Sequence, residues 1–221
     1  MEPRLTELND NEILMYLGHR GQEVPEDLVR QIEICKERVM KAARPRLVWR
    51  RVSYRDHRAG DLLLPGKDIE KLMEQCGEAV LVAATLGPEI DQITRKYEVV
   101  DAADALIMDA CASVAIENVC NHFEEDLREE ITGEGKFLTD RFSPGYGDLP
   151  LEIQKDLCRM LNASRRIGLT VSESMLMVPC KSVTAVIGIA DQPQPHRASG
   201  CEVCNLFRTC EFRKEGRSCH G

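Results

Sequence analysis

The chain has 221 residues, of which 43% are hydrophobic and 30% charged, enough apolar material for one large domain with or without a small appendage. A net charge of -8 and only 5% aromatic residues argue against nucleic acid, which demands a clustered basic face and stacking platforms. No apolar run approaches the ~20 residues that a bilayer requires, so no membrane association is expected.

Met1 to Glu7 lacks a basic stretch leading into an apolar one, so the expectation is a cytoplasmic protein whose ten cysteines are reduced. Asn9 is a good helix N-cap with Glu12 three residues on, and Asp10 to Leu17 reads as a short helix closed by Gly18. Pro25 opens a second helix to about Ala43, with Leu28, Ile32, Cys35, Val39 and Ala42 at helical spacing. Leu47 to Tyr54 alternates at period two and reads as a strand. The dense basic patches, Arg44 to Arg51 and Arg55 to Arg58, fall in or beside that strand and its turn.

Pro65-Gly66 marks a turn, and Asp68 to Gln75 reads as a helix stopped by Gly77. Ala79 to Ala84 is nearly all apolar, as in a buried strand, and Gly87-Pro88 begins the next helix. The longest element is expected from about Val100 to Glu130, with Ala103, Ile107, Ala110, Val114, Val119, Phe123 and Leu127 as its core stripe. Asp148 and Pro150 are expected to start a helix reaching Leu161, and Met175 to Val178 and Ser182 to Ile189 are strand candidates. Strands and helices intersperse without a regular βαβ repeat. The predicted class is α+β, a mostly antiparallel sheet with flanking helices, over residues 1–191, followed by a linker and cysteine-rich tail over 192–221.

The stretch Arg141-Phe142-Ser143-Pro144-Gly145-Tyr146-Gly147-Asp148-Leu149-Pro150 is the most informative. Two prolines and two glycines describe a loop held in one shape, with main chain able to approach a ligand. Arg141 offers a cation, Ser143 a hydroxyl and Tyr146 an amphipathic ring. Those groups suit a small zwitterion with a carboxylate, a ribose and a flat base, and equally a plain connecting loop.

This segment resembles the Arg-x-x-Pro-Gly-Tyr loop of the activation domain of cobalamin-dependent methionine synthase. Ile167 to Pro179 is similar to that family's Gly-x-x-Leu-Thr-Glu-Ser-x-x-Met-x-Pro segment, and Ser182-Val183 with its strand extends the match. The likeness is good over about residues 75 to 190 and looser before. It implies the family's α+β fold and a S-adenosylmethionine site contacted by Arg141, Ser143, Gly145 and Tyr146, with Glu173 lining the cleft. It also implies that Asp109 and Glu117, which share a helix face with Ser113, look toward a corrinoid-binding partner. That partner would carry the cobalamin, and an electron donor would act with it. A solvated amphipathic face is the competing reading of those acidic residues. The chain lacks cobalamin-binding, homocysteine and folate modules, so the resemblance implies an accessory role in reactivation and not complete methionine synthesis.

The tail carries Cys201, Cys204, Cys210 and Cys219, with His220 a possible substitute ligand. Four thiolates suit tetrahedral zinc or an iron–sulfur cluster, and Arg208, Arg213, Lys214 and Arg217 would favour the thiolate form. The spacing fits neither a zinc ribbon nor a ferredoxin run; the need to reduce a corrinoid favours iron–sulfur. Cys35, Cys111 and Cys120 lie on apolar helix faces and read as buried thiols. Three functions compete: a S-adenosylmethionine-presenting reactivation protein, an iron–sulfur corrinoid reductase, and a zinc-stabilised corrinoid-protein interaction module without the S-adenosylmethionine site.

Overall fold

A computed structural model describes residues 1–19 and 23–194. The tail cysteines Cys201, Cys204, Cys210 and Cys219, and His220, lie outside the described residues.

Two long apolar strands form the centre. β4 (Cys76–Thr85) and β8 (Ser182–Ala190) pair antiparallel and are buried almost throughout. Both faces are covered, which is why each reads as a continuous apolar run and not as an alternating one. β1 (Arg46–Arg55) pairs with the other side of β4, from Arg46↔Thr85 to Ser53↔Glu78. Short strands complete the six-stranded antiparallel sheet: β2 (Arg58–Ala59) and β3 (Leu62–Leu63) beyond β1, and β5 (Phe137–Leu138) beyond β8. Asp56 and His57, both at positive φ, make the tight β1–β2 turn. A separate hairpin joins β6 (Thr170–Val171) to β7 (Met177–Val178).

One face of the sheet carries Val80, Val82, Ala185, Ile187 and Ile189 against Phe123, Leu127 and Ile131 of α5 (Ala102–Gly133). The upstream part of α5 packs with α1 (Asp10–Tyr16), α2 (Glu26–Ala42) and α4 (Pro88–Val100) through Ile32, Cys35, Val39, Ile90, Cys111 and Val114. The opposite face carries Leu81, Ala83 and Val186. There they meet α3 (Lys67–Met73), α6 (Ile153–Leu161) and α7 (Ala163–Ile167) through Ile69, Met73, Leu157, Leu161 and Ile167. The α+β class with a mostly antiparallel sheet is therefore what the residues build.

Local differences from the sequence reading have physical causes. α5 starts at Ala102, because Asp101 is extended and its carboxylate accepts hydrogen bonds from the backbone N–H groups of Ala103 and Asp104 at 3.0 and 3.2 Å. Its first turn is open, so Ala103, expected in the core stripe, is exposed; the rest of that stripe is buried. Gly77 does not stop a helix. It lies inside β4, where the register shifts between Cys76 and Glu78. α6 begins at Ile153, later than Asp148 or Pro150, because the Asp148 carboxylate is committed elsewhere. Met175, at φ 64, belongs to the turn before β7.

Candidate functional site

The loop from Thr139 to Glu152 begins as a continuation of the sheet. Phe142 and Val186 exchange backbone hydrogen bonds at 2.9 and 2.8 Å, and the fully buried Phe142 ring packs into the core beside α6. Arg141, the preceding residue, reaches the acidic face of α5. Successive residues of an extended chain point to opposite sides. That parity allows one segment to anchor in the core and present a cation beside the long helix.

Past Phe142 the chain closes tight turns: the Tyr146 N–H donates to the Ser143 carbonyl, the Leu149 N–H to the Tyr146 carbonyl, and the Gly145 N–H to the Leu149 carbonyl. Gly145 sits at φ 91 and Gly147 at φ 52, the left-handed region that favours glycine. A side chain at Gly147 would also run into Asp68. Asp148 then fastens the loop to α3, accepting from the backbone N–H groups of Lys67 at 2.7 Å and Asp68 at 3.1 Å. Those bonds hold its carboxyl below the usual range. Leu149 is buried behind it. The loop is thus braced at both ends, with Gly145, Tyr146 and Gly147 exposed between.

Arg141 lies between two carboxylates seven residues apart on α5, a spacing that puts both on one face. Its Nη2 donates to Glu117 Oε2 at 2.7 Å. Its Nη1 is 3.0 Å from Glu124 Oε1 but lacks regular hydrogen-bond geometry and is buried. Burial opposes the charge on Arg141, yet Cys120, as the thiolate it becomes only at high pH, Glu124 and Glu117 outweigh it and raise the guanidinium above its usual value. Burial likewise raises the Glu124 carboxyl, with Arg141 and Arg128 holding it down. The Cys120 thiol beneath is pushed by burial up to about 12, so it is a neutral packing group.

The same helix face continues upstream. Lys181 Nζ lies 2.9 Å from Asp109 Oδ1 and donates to Ser113 Oγ at 2.9 Å. Asp109, Ser113 and Glu117 therefore do share one face, and it is paired with two cations from the segments that follow. Tyr16, at the end of α1, adds a second phenol. Burial raises its pKa first, followed by Glu117 and Tyr146. Tyr146 is 59% exposed and sits edge-on to Phe142, centroids 6.4 Å apart.

Arg141 and Tyr146 are therefore brought together, with Gly145 beside them. Ser143 is half-buried, and its carbonyl serves the turn. Glu173 is exposed in the β6–β7 hairpin, where Ser172 and Ser174 hydroxyls bond each other at 2.9 Å. No ion pair or hydrogen bond joins it to the Arg141 cluster among the described residues. Sequence reasoning missed Tyr16, Glu124 and Lys181. The seven-residue spacing from Glu117 was a usable signal for Glu124; nothing local marked Tyr16, which is joined to the site only by tertiary packing. A cleft of about 630 Å³ lies apart from this surface, between the β1–β2 turn and α3, lined in part by Tyr54, Arg55, His57, Lys67, Lys71 and Cys76. Among the described residues no group of three or more His, Cys, Asp or Glu side chains is placed to hold a metal, and no helix is long and apolar enough to cross a membrane.

A six-stranded antiparallel sheet between a 32-residue helix and a layer of short helices, with a glycine- and proline-braced loop over the helix's acidic face, is a reactivation-domain architecture. The crystal structure of the MetH reactivation domain bound to AdoHcy matches it with a TM-score of 0.63 and 17% sequence identity, covering 96% of this chain and 82% of that one. The family model described as "Vitamin B12 dependent methionine synthase, activation domain" matches residues 78–199, more than half of the sequence. The chain belongs to that family. No curated protein matches the sequence.

Proposed function

We propose that this protein binds S-adenosylmethionine on the Arg141–Tyr146 surface and presents it to a cobalamin carried by a separate corrinoid-binding protein, as an accessory to methionine synthase reactivation. The observation that carries the reading is the cluster itself: an exposed Tyr146 ring beside a buried guanidinium fixed by two carboxylates, in a member of the activation-domain family. The neighbour of the same fold is bound to AdoHcy, which differs from the proposed ligand by the methyl group.

The residues fit such a ligand. The Arg141 guanidinium, held by Glu117 and Glu124, places a fixed positive charge beneath this surface. The partly exposed Glu117 supplies negative charge for an ammonium or sulfonium. Tyr16 and Tyr146 offer flat faces with polar edges. S-adenosylmethionine would supply the methyl group and the partner's corrinoid would receive it. This chain's residues bind and orient the donor and exclude water around it. Ser143 and Gly145 shape the loop, and Glu173 closes over it only if the β6–β7 hairpin shifts on binding. The tail cysteines Cys201, Cys204, Cys210 and Cys219 belong to the same proposal as residues that would hold an iron–sulfur cluster or zinc; a cluster would relay an electron from a separate donor protein.

Calorimetric titration with S-adenosylmethionine tests the reading. Tyr146→Ala removes an exposed ring and should leave folding intact. Losing one aromatic contact of about 1.4 kcal/mol corresponds to roughly tenfold weaker binding. Binding unchanged in Tyr146→Ala would move the site away from this loop.

A further inference from the structure

Strand β1 is a sheet edge for most of its length. Its residues 46–53 pair with β4 on one side, while β2 joins only Tyr54 and Arg55 on the other. The Gly60 N–H closes onto the Ser53 carbonyl, and among the described residues no strand lies outside Arg46 to Val52. Alternate backbone N–H and C=O groups of that stretch therefore face outward, over seven residues or about 23 Å. Such a row is a template for another extended chain.

Charge gathers beside it. Arg46 and Arg50 are exposed on the strand, and Arg165 and Arg166 are exposed on α7, which packs on the same strand. Arg46 Nη1 comes within 3.5 Å of where a Cβ of Gly168 would stand, just past the two α7 arginines. None of these four guanidinium groups makes an ion pair or side-chain hydrogen bond among the described residues. That contrasts with Arg4, Arg38, Arg51, Arg141, Lys36, Lys136 and Lys181, each held by a carboxylate. In a chain of net charge -8, four arginines without a carboxylate partner among the described residues, two on β1 and two on the helix that packs against it, are a local concentration of positive charge.

We propose that the outer edge of β1, flanked by Arg46, Arg50, Arg165 and Arg166, docks an extended acidic segment of a partner protein, which adds to the sheet as a strand. Main-chain hydrogen bonds would supply the register, and bidentate guanidinium–carboxylate contacts the selectivity. A second copy of this chain is a poor occupant, since pairing β1 with β1 sets arginine against arginine. Residues 195–221 are also a poor occupant, carrying five Lys or Arg against three Glu. Arginines on an edge strand can simply discourage unwanted pairing. The two on α7 lie off the strand and are not needed for that.

The test uses the full chain, labelled with 15N, and a synthetic acetylated peptide of alternating Glu and Val, seven residues long, in low salt. The expected result is saturable amide shifts over residues 46–53, with at least tenfold weaker binding to Arg46→Glu/Arg50→Glu and to Arg165→Glu/Arg166→Glu. The second variant leaves the strand untouched, so it keeps the test open if the first fails to fold. A peptide methylated on alternate backbone nitrogens, and one with Gln in place of Glu, should both lose binding. Equal binding of the methylated peptide overturns strand addition, and equal binding of the neutral peptide overturns the role of the arginines. No shifts at millimolar peptide leaves a merely blunted edge and overturns the proposal, as does a concentration-dependent dimer formed through β1.

Discussion

Replacing Arg141 with Met keeps much of the side chain's volume and removes its charge, which isolates what the guanidinium does for Glu117 and Glu124. Arg141 and Glu124 are only 17% and 20% exposed, whereas Glu117 keeps contact with water. Removing one partner of a buried ion pair costs about 3–5 kcal/mol because the other charge is stranded. Residual hydration and the help of Arg128 reduce the expected loss to about 2–3 kcal/mol at pH 8.

The pH dependence has a definite sign. Burial already raises the Glu124 carboxyl above its ordinary value in the folded protein, and losing Arg141 raises it further. A carboxyl raised in the folded state binds protons more tightly there than in the unfolded chain. The variant's deficit is therefore full at pH 8 and shrinks as the pH falls toward the ordinary carboxylate value of 4.5. Urea unfolding followed by far-UV circular dichroism at pH 8 and pH 5 reads both quantities. Adding Glu124→Gln should recover at least half of the loss at pH 8. A loss below about 0.5 kcal/mol, or one independent of pH and unrelieved by Glu124→Gln, would refute the stranded-charge argument.

Gly188→Ala should destabilise by about 1–3 kcal/mol, because its Cβ would stand 2.5 Å from Cys76 Sγ, 2.8 Å from Met73 Sδ and 2.9 Å from Thr139 Cγ2; urea melts check this. Glu78 is held down to about 2 by Arg51 and Lys136. It contributes stability above its unfolded value of 4.5 that is lost as the pH falls toward 2. Glu78→Gln should therefore flatten the acid limb of a thermal-melt pH profile; an unchanged limb would show that the network adds nothing. For the tail, anaerobic purification followed by iron, sulfide and zinc analysis should find a stoichiometric metal that Cys201→Ser/Cys204→Ser abolishes. Zinc alone without visible absorbance ends the redox version.

How far the sequence spoke depended on the range of the interaction. Ala79 to Ala84 announced a buried strand because burial on both faces leaves a continuous apolar run. Ser182 to Ile189 was legible as a strand but not as its central neighbour, and α2 and most of α5 showed their stripe because a packed helix must bury one. The bracing of the loop was legible in Pro144, Gly145 and Gly147, since restricted and permissive backbones are local properties. Two-residue strands such as β2, β3 and β5 were not legible, for they exist only because a partner strand receives them. Asp148 looked like the cap of the helix that follows it, yet it caps α3, eighty residues upstream. No local pattern carries a hydrogen bond over that separation. Arg141 and Tyr146 were singled out for their chemistry, but their neighbours Glu124 and Tyr16 come from helices folded back against them. Glu173 and the tail cysteines rest on resemblance and spacing alone.

The direct measurement is an amide chemical-shift map of the full chain titrated with S-adenosylmethionine. The account predicts saturable shifts in residues 141–148, Tyr16 and the α5 stretch around Glu117. Shifts confined to the Tyr54–Cys76 cleft, or none at millimolar ligand in a folded protein, would contradict it.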